Sequence, residues 1–266
     1  MPHLDTQQGA RIFYETWGDP GRPWVTLVNG FTRAHTDFAG MARHLAREGF
    51  RVLAADSRGV GKTETGAPFT LADLAADLRA LWDGVGADTS FLLGISFGGA
   101  VAVTAASAFA DRVRGLVLVS TVPRWRGTAQ WEEFFAMPEA EREVALSRYF
   151  SEAFARDQAP LFRMLRRELA KSFSDPVRAS RARAQLSAIE GFDAAALLPA
   201  LRVPTLVIHG DDDRVAPPEG AEEIAGAVAG ARLELIPGVG HLLLAEAPLK
   251  LYDLATRFFR GLEASA

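Results

Sequence analysis

The sequence contains no cysteine among its 266 residues. Disulfide bonds, thiolate nucleophiles and cysteine-based metal sites are therefore excluded. It also lacks a long apolar run, and no stretch approaches the roughly 20 residues that a membrane-spanning helix needs. The first residues, MPHLDTQQGARIFYE, have no apolar signal core. We therefore expect a cytoplasmic protein that does not act at a membrane.

The sequence also lacks a large excess of either positive or negative charge. The formal net charge is −4, and nothing in the sequence suggests a nucleic-acid partner. Two further patterns are absent, namely G-x-G-x-x-G at the start of a helix and H-E-x-x-H, so the sequence indicates neither a nucleotide cofactor nor a metal. We expect the partner to be a small-molecule substrate, and we expect no cofactor.

Apolar runs alternate with helix-like segments along most of the chain. Runs such as WVTLV, FLLG, GLVLVS, TLVIH and RLELI are bounded by glycine, proline or polar turns, which is typical of buried strands. Segments with helical periodicity separate these runs, for example TLADLAADLRALW from Thr70 onwards. This alternation predicts an α/β fold with a mostly parallel, doubly wound sheet.

One segment, from Arg124 to Pro199, contains no convincing strand. Its periodicity predicts successive helices at Gln130–Met137, Ala140–Arg156, Ala159–Ser172 and Pro176–Ile189. We therefore divide the chain into a core domain at residues 1–123, a helical lid at 124–199 inserted between two late strands, and the rest of the core at 200–266. Ligands bind outside the carboxyl ends of parallel strands, so the inserted segment is expected to cover the site.

A G-x-S-x-G pattern occurs within GISFGG, which spans Gly94 to Gly99. An apolar strand precedes it and a run of small residues follows, as in a nucleophile elbow, where a sharp turn lifts the serine hydroxyl from the sheet. Small neighbours let the strand and the helix approach each other closely. A glycine-rich turn could carry the same five residues by chance, so Ser96 needs a base and an acid elsewhere in the chain.

Two later strands are followed by candidates for these partners. Asp213 lies in HGDDD after the run TLVIH, and His241 lies in GVGH after the last strand. The chain order serine, aspartate, histidine is the order expected for this elbow, and all three would share one edge of the sheet. We interpret His209 as a packed strand-end residue. His35, near the expected oxyanion loop, could line the pocket, but we interpret it as a solvated loop residue.

Together these features resemble the α/β-hydrolase superfamily, in particular its lid-bearing esterases, lactonases and carbon–carbon-bond hydrolases. The matching stretches are NGF (29–31), DSRGVGKT (56–63), GISFGG (94–99), HGDDDRVAP (209–217) and GVGH (238–241). The family's acid is the third residue after the glycine that ends the strand. The resemblance therefore selects Asp213 over its neighbours Asp211 and Asp212, which are most simply turn residues.

The expected oxyanion hole consists of two backbone N–H groups. One should come from Phe97, the residue after the nucleophile. The resemblance implies that the other comes from Phe31. Most relatives have histidine where this sequence has Asn29, but the donor is a backbone group, so we expect the hole to persist.

The resemblance implies a serine hydrolase with the triad Ser96, His241 and Asp213, which acts through an acyl-enzyme. Aromatic residues of the lid are expected to line an apolar pocket; the candidates are Trp125, Phe134 and Phe135. Such a pocket favours a small to medium, largely apolar ester or lactone.

Three alternatives stay open at this point. The same triad could cleave a carbon–carbon bond or an enol-lactone in an aromatic-degradation type of pathway. It could act as a perhydrolase toward peroxide. From a different class, the protein could be a ligand sensor or partner-binding protein that retains the triad, and sustained turnover would distinguish an enzyme from such a sensor.

Overall fold

The computed structural model describes residues 2–65, 68–125 and 129–264. The strands within these ranges are β1 His3–Asp5, β2 Ala10–Trp17, β3 Trp24–Val28, β4 Arg51–Ala55, β5 Glu64–Thr65, β6 Ser90–Ile95, β7 Val113–Val119, β8 Thr205–Gly210 and β9 Arg232–Ile236. The α-helices are α1 Ala39–Arg47, α2 Leu71–Val85, α3 Phe97–Ala108, α4 Ala129–Ala136, α5 Glu139–Ala145, α6 Glu152–Asp157, α7 Ala159–Lys171, α8 Pro176–Ile189, α9 Pro218–Ala227, α10 Leu243–Glu246 and α11 Pro248–Glu263. In this part of the chain, none of the helices combines the length and the apolar character needed to cross a bilayer.

The strands form one sheet in the order β1-β2-β4-β3-β6-β7-β8-β9, with β5 paired to β2. The strands from β4 to β9 in this order run parallel, and β1 and β2 add an antiparallel edge. The predicted α/β class with a mostly parallel sheet is confirmed. Because β3, β6, β7 and β8 run in the same direction, the loops that follow them meet at one edge.

Each face of the sheet carries its own hydrophobic core. Helices α2, α3 and α9 cover one face, and α1 and α11 cover the other. The two-residue period of a strand is visible in β6, where Leu92 faces the first core while Phe91 and Leu93 face the second. Phe91 stacks on Phe259 of α11 with the ring centroids 4.9 Å apart. Because helices cover both faces of the sheet, its strands have apolar side chains on both sides and appear in the sequence as continuous apolar runs.

Between β7 and β8 the chain forms α4 to α8, which we call the helical segment. It has a small core of its own, built around Phe150, Leu169 and Phe173. The predicted single helix Ala140–Arg156 is wrong, because α5 gives way to a 3₁₀ turn at Leu146–Tyr149 before α6 begins. Ser151 restarts the helix, since its hydroxyl accepts the N–H of Phe154 as an N-cap. Residues 126–128 of the predicted lid lie outside the described residues.

Candidate active site

Ser96 stands at the turn between β6 and α3 with φ 53° and ψ −117°. This left-handed backbone is costly for a residue with a side chain and persists only where the surroundings enforce it. A Cβ at position 94 would lie 2.3 Å from the carbonyl oxygen of Gly98, and one at position 98 would lie 2.3 Å from that of Val28. The glycines on both sides of Ser96 therefore permit the close approach of strand, helix and loop that the turn requires.

The structure brings Ser96, His241 and Asp213 together, although they are distant in the sequence. Nε2 of His241 lies 3.0 Å from Oγ of Ser96. Nδ1 of the same ring lies 2.7 Å from Oδ2 of Asp213. All three residues are buried. Because a carboxylate only accepts hydrogen bonds, Nδ1 must carry the proton, which leaves Nε2 free to accept the hydroxyl proton of Ser96.

Asp213 is held by donors on both oxygens. Oδ1 accepts the backbone N–H groups of Val215 and Ala216, at 2.9 and 2.8 Å. Burial by itself raises the pKa of Asp213, but the electrostatic attraction of the His241 ring and the hydrogen bonds from two histidines and the backbone outweigh burial and hold the pKa well below its usual range. The carboxyl group therefore stays ionised next to the imidazole.

His209 at the end of β8 is fully buried, as the interpretation of a packed strand-end residue requires. Its Nε2 lies 2.8 Å from the carbonyl oxygen of Ala216 and 3.3 Å from Oδ2 of Asp213. No motif in the sequence predicts this contact with the acid. The one signal that could have suggested it is the spacing of four residues between His209 and Asp213 across a tight turn.

The loop that carries His241 is fastened to the helical segment. The backbone N–H of His241 donates to the carbonyl oxygen of Tyr149 at 3.0 Å, and the two rings meet edge to face with centroids 5.4 Å apart. Glu246 accepts the N–H of Gly240 at 3.1 Å and the hydroxyl of Ser151 at 2.6 Å. Burial raises the pKa of Glu246, although these hydrogen bonds act in the opposite direction. The position of the imidazole therefore depends on the helical segment as well as on the sheet.

The two expected oxyanion donors lie on elements that flank Ser96. Phe97 is the first residue of α3, where backbone N–H groups have no partner within the helix. Gly30 packs against the serine, because a Cβ added there would be 3.6 Å from Cβ of Ser96. Phe31 follows it directly. Asn29 closes this loop on itself, since Oδ1 accepts the N–H of Gly30 at 2.8 Å and Nδ2 donates to the carbonyl oxygen of Ala34 at 2.7 Å.

A cavity of about 330 Å³ opens onto Ser96 and His241. The helical segment and the connection that leads into it supply much of the wall, through Trp125, Trp131, Leu161, Leu165, Leu169 and Phe173. The residues after His241, at the start of α10, add Leu242, Leu243 and Leu244. Of the charged lining residues, Arg33 and Asp37 pair with each other, with Nε and Oδ2 2.6 Å apart, and Glu168 pairs with Lys171 outside the lining. The site can therefore take up an apolar molecule beside a nucleophilic hydroxyl.

Of the three predicted pocket residues, Trp125 lines this cavity. Phe134 and Phe135 instead pack against Trp131 and Phe173, which do line it. Phe134 belongs to the core of the helical segment. Helical periodicity identifies an apolar face but does not tell a wall residue from one in the layer behind it.

The interpretation of His35 as a solvated loop residue is wrong. The side chain is buried, and its Nδ1 lies 2.7 Å from Oδ1 of Asp56. Asp56 also accepts the backbone N–H groups of His35 and Lys62, both at 2.9 Å. This second histidine–aspartate pair therefore braces the loops after β3 and β4.

The sequence model of a family described as alpha/beta hydrolase fold matches residues 23–248 of the chain. A non-heme haloperoxidase from Rhodococcus erythropolis is 29% identical over 91% of this chain and 93% of its own length. The crystal structure of the enol-lactonase from Burkholderia xenovorans LB400 is similar with a TM-score of 0.86 and 25% identity, covering 97% of this chain and all of that one. The polyketide synthase ThaQ from Burkholderia thailandensis is 34% identical over 82% of this chain, which spans only 11% of that protein.

Proposed function

The chain belongs to the alpha/beta hydrolase family of enzymes, and we propose that it is a serine hydrolase that cleaves a small to medium, largely apolar ester or lactone. One observation carries the proposal. Ser96, His241 and Asp213 are joined by contacts of 3.0 and 2.7 Å, and the first two line an apolar cavity. We further propose that residues 1–123 and 200–266 form the core domain and that residues 124–199 form its lid.

The reaction begins when Oγ of Ser96 attacks the carbonyl carbon while Nε2 of His241 takes the hydroxyl proton. Asp213 keeps the proton on Nδ1 and stabilises the imidazolium that forms. The N–H groups of Phe31 and Phe97 stabilise the developing oxyanion. His241 then protonates the leaving alcohol, and an acyl-enzyme remains. Water, activated by the same imidazole, attacks the acyl carbonyl and releases the acid.

Covalent labelling tests this proposal directly. A fluorophosphonate should form one adduct, and mass spectrometry of a digest should place that adduct on the peptide containing Ser96, because His241 activates only this hydroxyl. The variant His241→Ala should be labelled far more slowly. Labelling at other serines, or no labelling at high reagent concentration, would count heavily against Ser96 as the nucleophile.

The cavity sets the expected substrate range. Its volume is about 330 Å³ and its walls are mostly aliphatic and aromatic. Each methylene that enters should add up to about 0.8 kcal/mol of binding until the cavity is full. For p-nitrophenyl esters of graded acyl length, we therefore expect kcat/KM to rise, to reach a maximum and to fall. A flat profile, or a maximum with long-chain lipid emulsions, would mean that the helical segment does not enclose the substrate.

A cavity-filling variant sharpens this measurement. Leu165 lies in the wall, so Leu165→Trp should move the maximum to shorter acyl chains. Val144 is 64% exposed on α5 and lies outside the cavity wall, so Val144→Trp is the matched control and should leave the profile unchanged.

The similarity to a bifunctional esterase/perhydrolase from Acinetobacter calcoaceticus, which is 28% identical over 91% of this chain and 93% of its own length, supports perhydrolase activity as a second candidate function. In that reaction hydrogen peroxide replaces water in the second step, and a peroxide oxygen attacks the acyl carbonyl. A peracid leaves, and the proton returns through His241 to Oγ of Ser96. Peracid formation from a short ester in hydrogen peroxide, compared with acid formation in water, would measure the share of each reaction.

A further inference from the structure

Gln185 of α8 connects the helical segment to two loops of the core. The side chain is 1% exposed. Its Oε1 accepts the backbone N–H of Thr32 at 2.8 Å, and its Nε2 donates to the carbonyl oxygen of Arg58 at 3.1 Å. Thr32 directly follows Phe31, the second of the proposed oxyanion donors.

The partners of Gln185 require an amide. The N–H of Thr32 can only donate and the carbonyl of Arg58 can only accept, so a side chain at this place must present one acceptor and one donor. This pairing also determines which end of the amide faces which loop. An apolar or acidic side chain of similar size would leave at least one of these two backbone groups without its partner.

Thr32 has a strained backbone with φ 60°. A threonine in the left-handed region persists only where its surroundings hold it. The hydrogen bond from its own N–H to Gln185 provides such a restraint, and it acts one residue away from the N–H of Phe31. A small relaxation of Thr32 would therefore rotate the peptide that carries the oxyanion donor.

The other end of the Gln185 amide bonds to Arg58, whose side chain is itself anchored in the core. The guanidinium of Arg58 is buried and bonds both oxygens of Asp77 on α2, at 2.7 and 2.8 Å. Gly59 lies so close to α8 that a Cβ there would be 3.2 Å from the carbonyl oxygen of Arg181. Gln185 therefore fixes the position of the loop that contains Phe31 relative to the core loop that contains Arg58.

We propose that Gln185 is a positioning residue, through which the helical segment sets the direction of the Phe31 N–H and completes the oxyanion hole. The inference rests on the proposed function of Ser96 and Phe31. It assigns to α8 a task beyond enclosing the substrate, because the oxyanion hole is fully formed only when this helix is docked.

Two variants at position 185 test the proposal in the full-length chain. Gln185→Leu removes both hydrogen bonds, whereas Gln185→Glu keeps an acceptor for Thr32 but turns a second oxygen toward the Arg58 carbonyl. Loss of a whole oxyanion donor costs about 10²- to 10³-fold in kcat, so we expect Gln185→Leu to lower kcat by roughly 10- to 10²-fold. The KM for a p-nitrophenyl ester should change little, and fluorophosphonate labelling should slow in parallel with kcat. Gln185→Glu should lose less kcat than Gln185→Leu even if its Tm falls as far.

Two controls separate positioning from stability. Arg183→Met, on the same helix, breaks the ion pair with Glu132 of α4 and does not touch the core loops. Gln158→Leu makes the same kind of change at an exposed site. Both should keep wild-type kcat.

The possible failures can be told apart. If wild-type protein is not labelled at Ser96, the proposed function fails. If it is labelled, and Gln185→Leu is folded with kcat within about twofold of wild type, the role of Gln185 is overturned. If Gln185→Leu does not fold, Gln185→Glu decides, because it loses the hydrogen bond that anchors position 185 to the Arg58 carbonyl. A kcat equal to that of wild type despite a lower Tm would then overturn the role as well.

Discussion

Ser96→Ala is expected to lower kcat by roughly 10⁴-fold or more, and His241→Ala by a similar factor. The nucleophile and its base act as a unit, because the hydroxyl is reactive only while Nε2, 3.0 Å away, takes its proton. The double variant should therefore lose little beyond either single variant. The measurement is kcat for a p-nitrophenyl ester, with circular dichroism to establish that each variant is folded.

Ser120 offers a matched control for this experiment. It directly follows the neighbouring strand β7, it is buried, and its backbone also has a positive φ, of 48°. Among the described residues its hydroxyl has no hydrogen-bond partner. Ser120→Ala should therefore keep wild-type kcat. A folded Ser96→Ala variant that retained substantial turnover would contradict the assignment of the nucleophile.

The parts of this molecule that sequence reasoning anticipated have local signals. Buried parallel strands appear as apolar runs, and Ser96 sits in a five-residue pattern that the tight strand–helix turn demands. The candidates Asp213 and His241 follow strands whose carboxyl ends must share an edge once the sheet is parallel. The order and direction of the strands therefore suffice to predict that these distant residues share one edge, and no side-chain contact is needed for that prediction.

The parts that were missed depend on contacts with no local signal. Gln185 bonds Thr32 across 153 positions of the chain. His35 was interpreted as solvated because it lies in a loop. Its side chain is buried instead, and its Nδ1 is paired with Asp56 of another loop. The α5–α6 break has a weak signal in Ser151, because serine is a common N-cap but also occurs within helices. Phe134 was assigned to the cavity wall but packs in the core of the helical segment, because wall residues and core residues of a helix recur with the same helical periodicity.

Asp213→Asn is expected to lower kcat by about 10⁴-fold, the loss that the same change causes in the serine-protease template. An amide in place of the carboxylate can turn its NH₂ toward Nδ1 of His241, 2.7 Å away in the native site, and so favour the tautomer that carries its proton on Nε2. That tautomer cannot accept the proton of Ser96. The imidazolium would also lose its neighbouring negative charge. The rate of fluorophosphonate labelling should fall together with kcat, while KM should change much less.

The two preceding aspartates provide the control for Asp213. Oδ1 of Asp211 accepts the N–H of Gly238 at 2.6 Å, and Oδ2 of Asp212 accepts the N–H of Glu152 at 3.2 Å. These bonds support loops and do not involve the imidazole, so Asp211→Asn and Asp212→Asn should have mild effects on kcat. The same chemical change is made in all three variants, while Asp213 is the one of the three that is buried and bonded to His241. If folded Asp212→Asn protein matched the defect of Asp213→Asn, the assignment of the acid would be wrong.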